Sequence, residues 1–274
     1  MEFKTKDIWG QLRKILVDKG VADEDIYKME QQIQDKIQDI EAPTIAIIGF
    51  TGVGKSSTLN ALFNAGQLTS DVRACTQDAK QFTGNLEPYT GKKGIVNIYD
   101  MPGLGESIAK DRVHYNVYEK ILPVVDVIIW TFHAEDRAMT PMQNALLTLV
   151  KKLGPSFTNK LLFAINKADA IAPGESAWNT KFNIPSREQR QNLDDFEIYI
   201  RERINEVLPH WDGPIVSYSA KRRYHLDQLM TAMVEVMPND KKWVLNNLAD
   251  VADYTEFVAP EYLEYIKSIA NDMK

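Results

Sequence analysis

The chain has 274 residues, 44% of them hydrophobic and 26% charged, so it can bury a sizeable core and does not have the composition of a disordered chain. Its net charge of −6 and pI near 5.4 offer no clustered cationic field for phosphate backbones, so nucleic acid is not an expected partner. The single cysteine, Cys75, excludes an intramolecular disulfide and a multi-cysteine zinc site, and no apolar run approaches the roughly 18 residues of a membrane span, so a cytoplasmic chain with at most peripheral membrane contact is expected.

Residues 1–42 read as an N-terminal helical extension of two amphipathic helices. Ile8, Leu12 and Ile15 share one face; after a break at Gly20, Ile26, Met29, Ile33, Ile37 and Ile40 repeat the pattern, with Asp23 placed as a cap. At Pro43 the period changes. Thr44-Ile45-Ala46-Ile47-Ile48 is the continuous apolar run that a parallel strand buried on both faces requires, and it opens a core domain over residues 43–237.

That strand runs into Gly49-Phe50-Thr51-Gly52-Val53-Gly54-Lys55-Ser56, the spacing G-x-x-x-x-G-K-[ST], followed at Ser57 by a helical stretch. The chemistry behind the spacing is anion binding. Glycines let successive backbone N–H groups of Gly49, Thr51, Gly52, Val53 and Gly54 curl around a β-phosphate at a helix N-terminus, Lys55 reaches the β- and γ-phosphates, and the Ser56 hydroxyl ligates Mg2+. Farther on, Thr76 lies in a loop beginning near Asp71 and suits a second Mg2+ ligand that senses the γ-phosphate.

Strands are expected at 81–86, 94–99, 125–132, 160–165 and 214–219, separated by helical or polar stretches, which predicts an α/β doubly wound sheet. After the second of these comes Asp100-Met101-Pro102-Gly103. A carboxylate at that strand end can hold Mg2+ through water, and the Gly103 N–H can reach the γ-phosphate. After the strand at 160–165 comes Asn166-Lys167-Ala168-Asp169, which selects the base: an aspartate accepts from guanine N1–H and the N2 amino group, and adenine offers neither there. Asn166 ties this loop to the phosphate loop, and the Lys167 stem lies on the base. Ser219-Ala220-Lys221 follows the last strand, with the Ala220 N–H facing guanine O6.

Residues 171–187 are rich in loop formers and read as an insertion with a mobile tip ahead of a helix at 188–207, with Trp178 in it expected to meet a partner and Trp130 to lie in a buried strand. Residues 238–274 return to helices as a C-terminal extension, with Pro260 starting the last. Glu106 and His114 are expected on a solvated face, and Arg137 is a candidate contact to a second protomer. His133, His210 and His225 show no metal-binding spacing.

These motifs, in this order over about 44–236, resemble the translation-factor-related GTPases, particularly the Era and TrmE-like group. GFTGVGKSSTLNALF, DMPG and IIWTFHAEDRAMT are similar to bacterial YfjP-type GTPases, and TGVGKSS also resembles septin-like and immunity-associated GTPases. The resemblance implies a P-loop NTPase fold, a six-stranded, mostly parallel sheet with helices on both faces, that takes GTP or GDP with Mg2+ and acts as a switch. Lys55, Thr76 and Gly103 would then act on the γ-phosphate, and Ser56, Thr76 and Asp100 on the metal. Two departures bear on mechanism. Leu104 stands where other GTPases have a water-orienting glutamine or histidine, which predicts slow intrinsic turnover raised by a protein partner or by homodimerisation through the nucleotide face. Gly52 stands where potassium-activated relatives carry asparagine. A nucleotide-binding interaction module with little or no hydrolysis is the alternative.

Overall fold

The computed structural model describes residues 8–38, 42–63, 79–85, 95–135 and 139–242. Cys75, Thr76, Arg137, Trp243 and the helix expected from Pro260 lie outside them. The chain forms two compact units, one of Met1–Pro43, Leu86–Ile95 and Pro238–Lys274 and the other of Thr44–Asn85 and Val96–Met237.

In the first unit, helices α1 (Ile8–Asp18) and α2 (Asp23–Gln38) pack on each other and bury Leu16, Ile26 and Met29. Gly20 makes the turn. It has φ +81°, its N–H donates to Val17 O, and the next N–H, from Val21, reaches back to Leu16 O, so two carbonyls at the end of α1 are satisfied by a residue that enters the left-handed region without strain.

The second unit is built on six strands: β1 (Thr44–Gly49), β2 (Lys80–Asn85), β3 (Ile95–Asp100), β4 (Val127–His133), β5 (Leu161–Asn166) and β6 (Ile215–Ser217). They lie in the order β2-β3-β1-β4-β5-β6, and the pairs β1/β3, β1/β4, β4/β5 and β5/β6 are parallel. Because β1, β4 and β5 are apolar at successive positions, both faces of the sheet are covered. Ala46, Ile48, Ile128, Trp130, Phe132, Phe163 and Ile165 share one core with helices α4 (Ile108–Ile121), α5 (Met139–Leu153) and α6 (Arg187–Asn205). The alternate residues, Ile45, Ile47, Ile129 and Leu162, are equally buried on the other side, where α3 (Lys55–Phe63) contacts β1 and α7 (Leu226–Val236) contacts β4, β5 and β6. A short α8 (Asn239–Lys242) closes the described chain.

Two side chains depart from the sequence expectation. Trp178 is 4% exposed; its indole N–H donates to Asn183 Oδ1 and its ring meets Tyr224 edge-on at 5.0 Å, so the insertion folds back on its own domain and uses Trp178 as core. His114 is buried too, for reasons that belong to the site.

Among the described residues no helix is long and apolar enough to cross a membrane.

Candidate functional site

Parallel strands carry their loops to one edge of the sheet, and the four motif loops lie there: residues 49–55 after β1, 101–105 after β3, 166–169 after β5 and 218–221 after β6. The first loop is shaped by glycines with little freedom to change. Gly49 has φ +145°, and a Cβ there would lie 2.4 Å from Thr131 O. Gly54 has φ +95°, and a Cβ there would lie 2.4 Å from Asn166 Nδ2. Lys55 folds over the loop and donates to Gly49 O (3.2 Å) and Phe50 O (3.1 Å). Burial pushes its ammonium below the ordinary lysine range, and Asp100 and Glu106 act against that shift. At the start of α3, Ser56 Oγ donates to Asp100 Oδ2 at 2.7 Å, which brings together the two oxygens singled out for Mg2+, while Ser57 is exposed beside them.

The loops expected to recognise the base join the phosphate loop chiefly through the Asn166 amide. Asn166, 2% exposed, donates from Nδ2 to Val53 O (3.0 Å), and its Oδ1 accepts from the N–H groups of Lys167 (2.8 Å) and Ala220 (3.1 Å). Lys167 takes a left-handed φ of 63°, which turns its stem back so that Nζ donates to Gly52 O at 3.3 Å. Asp169 is 1% exposed. Its Oδ1 accepts from Ser219 Oγ at 2.5 Å, and Oδ2 is a buried carboxylate oxygen with no hydrogen-bond donor among the described residues; Arg222 Nε stands 3.7 Å away, an ion-pair distance too long for a hydrogen bond. An unfilled acceptor on a buried carboxylate fits a ligand that brings a pair of N–H donors. Lys221, the last motif residue, is exposed and paired with Glu175.

Residues 101–105 are held against the phosphate loop. Thr51 N–H donates to Leu104 O (2.9 Å), and Leu104 N–H to Gly49 O (3.2 Å). Gly103 is crowded there: a Cβ would lie 2.5 Å from Thr51 Oγ1 and 3.0 Å from Lys55 Nζ. The Leu104 side chain, 1% exposed, belongs to the core and faces away from solvent. Glu106 is exposed as expected, paired with Lys110 and within 3.3 Å of Thr51 Oγ1.

Sequence reasoning missed the supports. On α4, Asp111 Oδ1 accepts from Gly105 N–H (2.9 Å), His114 Nδ1 meets Gly103 O (2.8 Å) and Tyr118 OH donates to Pro102 O (2.6 Å). His114 is therefore buried on a polar face turned toward the loop and does not lie on a solvated one. The spacing 111, 114, 118 lies along one helix face and was the available signal. Gln189, fully buried, donates to the carbonyls of Asp169 (3.1 Å), Ile171 (3.3 Å) and Gly174 (3.1 Å) and so supports the base loop from α6. Asn183, in the insertion, donates to Arg222 O at 2.9 Å.

Among the described residues no group of three or more His, Cys, Asp or Glu stands where it could hold a metal by itself. Ser56 and Asp100 offer the partial oxygen set that suits Mg2+ when substrate phosphates complete the shell.

Residues 44–167 match the family described as 50S ribosome-binding GTPase. The chain is 32% identical over 200 residues to the uncharacterized protein YfjP of Escherichia coli (strain K12), a match covering 72% of this chain and 63% of YfjP, so it spans under two thirds of that relative's length. Among solved structures it superposes on Toc33 from Arabidopsis thaliana, a dimerization-deficient mutant, with a TM-score of 0.54 at 15% identity, covering 76% of this chain and 91% of that one. It also superposes on Era from Aquifex aeolicus bound to GDP and AlF4−, with a TM-score of 0.50 at 21% identity, covering 73% of this chain and 58% of that one. With the family match over residues 44–167 laid on this fold and the motif loops gathered at one sheet edge, the chain carries a P-loop GTPase domain similar to that of these relatives.

Proposed function

We propose that this chain binds GTP and GDP with Mg2+, hydrolyses GTP slowly to GDP and phosphate, and works as a nucleotide-controlled switch in the cytoplasm. The observation that carries the reading is Asp169: a buried carboxylate with one oxygen held by Ser219 and the other without a hydrogen-bond donor among the described residues, on a loop that Asn166 fastens to the phosphate loop. Guanine supplies two adjacent N–H donors for such a carboxylate, and adenine leaves it unpaired, a difference worth about 10⁴-fold or more in a site of this kind.

Gly49, Thr51, Gly52, Val53, Gly54, Lys55, Ser56 and Ser57 would hold the phosphates, and Lys167, Ser219, Ala220 and Lys221 would complete the base site. Ser56, Asp100 and Thr76 would serve Mg2+, which when bound supplies charge neutralisation across the β- and γ-phosphates. Slow turnover follows from Leu104. A leucine committed to the core offers no polar group to orient water, so that group must come from elsewhere, and a second protomer meeting the nucleotide face is the source we favour. In the chloroplast translocon components atToc33 and psToc159, dimerization is important for GTPase activity. A further protein partner would read the switch.

The buried Leu104 also favours a second reading, an interaction module that holds nucleotide with little or no hydrolysis. Binding and turnover of GTP and ATP, with and without Mg2+ over a hundredfold range of protein concentration, separates the two. GTP-selective, Mg2+-dependent turnover whose specific rate rises with concentration supports the switch; GTP binding without turnover at any concentration supports the module; equal binding of ATP overturns both.

A further inference from the structure

Tyr118 sits in the last turn of α4, fully buried, and its hydroxyl donates to Pro102 O at 2.6 Å. Burial drives its ionisation far above the ordinary tyrosine range, so the hydroxyl keeps its proton to donate at neutral pH. The acceptor it chooses matters. Pro102 O and Gly103 N–H belong to one peptide group, and in a trans peptide the carbonyl and the N–H point in opposite directions. A donor that fixes Pro102 O on the α4 side therefore fixes the direction of the Gly103 N–H on the other.

That other side is the phosphate loop. A Cβ on Gly103 would stand 2.5 Å from Thr51 Oγ1 and 3.0 Å from Lys55 Nζ. The following peptide is fixed independently: Gly103 O meets His114 Nδ1, and because a carbonyl can only accept, that nitrogen carries the proton, while the Leu104 N–H donates to Gly49 O. With Leu104 pinned at both its N–H and its carbonyl, the peptide between Pro102 and Gly103 is the one whose orientation rests on a side-chain hydroxyl.

We infer that Tyr118 is a positioning residue that aims the Gly103 N–H at the γ-phosphate, and so sets how strongly the protein prefers GTP to GDP. This rests on the nucleotide-binding reading above. Tyr118 touches no ligand; it acts through one peptide plane. GDP has no γ-phosphate, so the orientation of that plane enters the affinity for GTP and leaves that for GDP alone.

The test is Tyr118→Phe in the full chain, which removes one oxygen and keeps the buried ring. Dissociation constants for GDP and for a non-hydrolysable GTP analogue are measured with Mg2+ for both proteins, together with the melting temperature in saturating GDP. The expected result is analogue affinity reduced by about tenfold with GDP affinity within about twofold, the loss of one well-aligned hydrogen bond to a charged group. A variant whose ratio of the two constants equals that of the parent overturns the inference. So does one that fails to fold or loses both nucleotides equally, because the hydroxyl then serves the fold alone. If the unsubstituted protein binds neither nucleotide, the functional reading itself fails, an outcome visible before any variant is made.

Discussion

At the scale of single residues, the site turns on a few side chains whose chemistry can be inverted. In Asp169→Asn one carboxylate oxygen becomes an N–H2 donor. It then faces the guanine N2 amino group as donor against donor, and suits xanthine, which carries a carbonyl at that position. GTP affinity is expected to fall about a hundredfold or more while xanthosine triphosphate gains, checked by competitive binding of the two. His225 gives a pH signature. It is half-buried at the head of α7, with Nδ1 3.1 Å from Ser217 O and its ring stacked on Tyr224 at 3.6 Å. Burial, the larger cause, lowers its pKa below 6.5, and the Ser217 bond opposes it. The folded state thus binds this proton less tightly than the unfolded chain. Its stability contribution is whole above about pH 6.5 and is lost as pH falls from there through the lowered value. His225→Asn, which tolerates the left-handed φ of 53°, should flatten that acid limb in melting temperature measured from pH 7 to pH 5.

At the scale of elements, α6 shows two kinds of support on adjacent turns. Ser186 and Gln189 form a reciprocal capping box at its N-terminus, and the same Gln189 reaches three carbonyls around the base loop. Ser186→Ala should cost about 1 kcal/mol in stability and leave nucleotide affinity nearly unchanged. Gln189→Ala leaves buried carbonyls without donors and should cost about 1–3 kcal/mol while also weakening guanine nucleotide binding, which separates it from the cap in a paired denaturation and binding assay. The elements were largely legible beforehand. The expected strand at 94–99 is β3 at Ile95–Asp100, and that at 160–165 is β5 at Leu161–Asn166, because apolar runs bounded by Gly, Pro and Asn leave little choice. The expected 214–219 shrinks to Ile215–Ser217, since Ser219 leaves the sheet to bridge Tyr224. The gathering of residues 49–55 and 166–169 at one sheet edge was legible because their motifs directly follow apolar strands. The clamp of Asp111, His114 and Tyr118 was less legible, because its partners are two main-chain carbonyls and one main-chain N–H, which leave no signature beyond the helical spacing of the three residues. Trp178 was misread because composition does not tell which way an insertion folds.

At the scale of the whole domain, the sheet's central strands share an aromatic core in which Phe163 lies 5.9 Å from Trp130, 5.5 Å from Phe132 and 4.8 Å from Trp211 by ring centroids. Phe163→Ala should cost about 3–5 kcal/mol by equilibrium denaturation, since the rigid strands on either side cannot collapse into the space. The packed sheet is what carries loops from four strands to one edge. Asn166 links them: its single amide reaches Val53, 113 residues away, and Ala220, 54 residues away. On the proposed function, the nucleotide's two ends are expected to be thermodynamically linked even when the covalent bond between them is absent. A guanosine that orders residues 166–169 also orders the Val53 carbonyl, so free guanosine and free pyrophosphate should each raise the other's affinity, reciprocally and to the same factor. Calorimetry of one ligand in the presence of the other should show that cooperativity in the native protein and its disappearance in Asn166→Ala, a domain that would still hold both halves of GTP but no longer recognise them as one molecule.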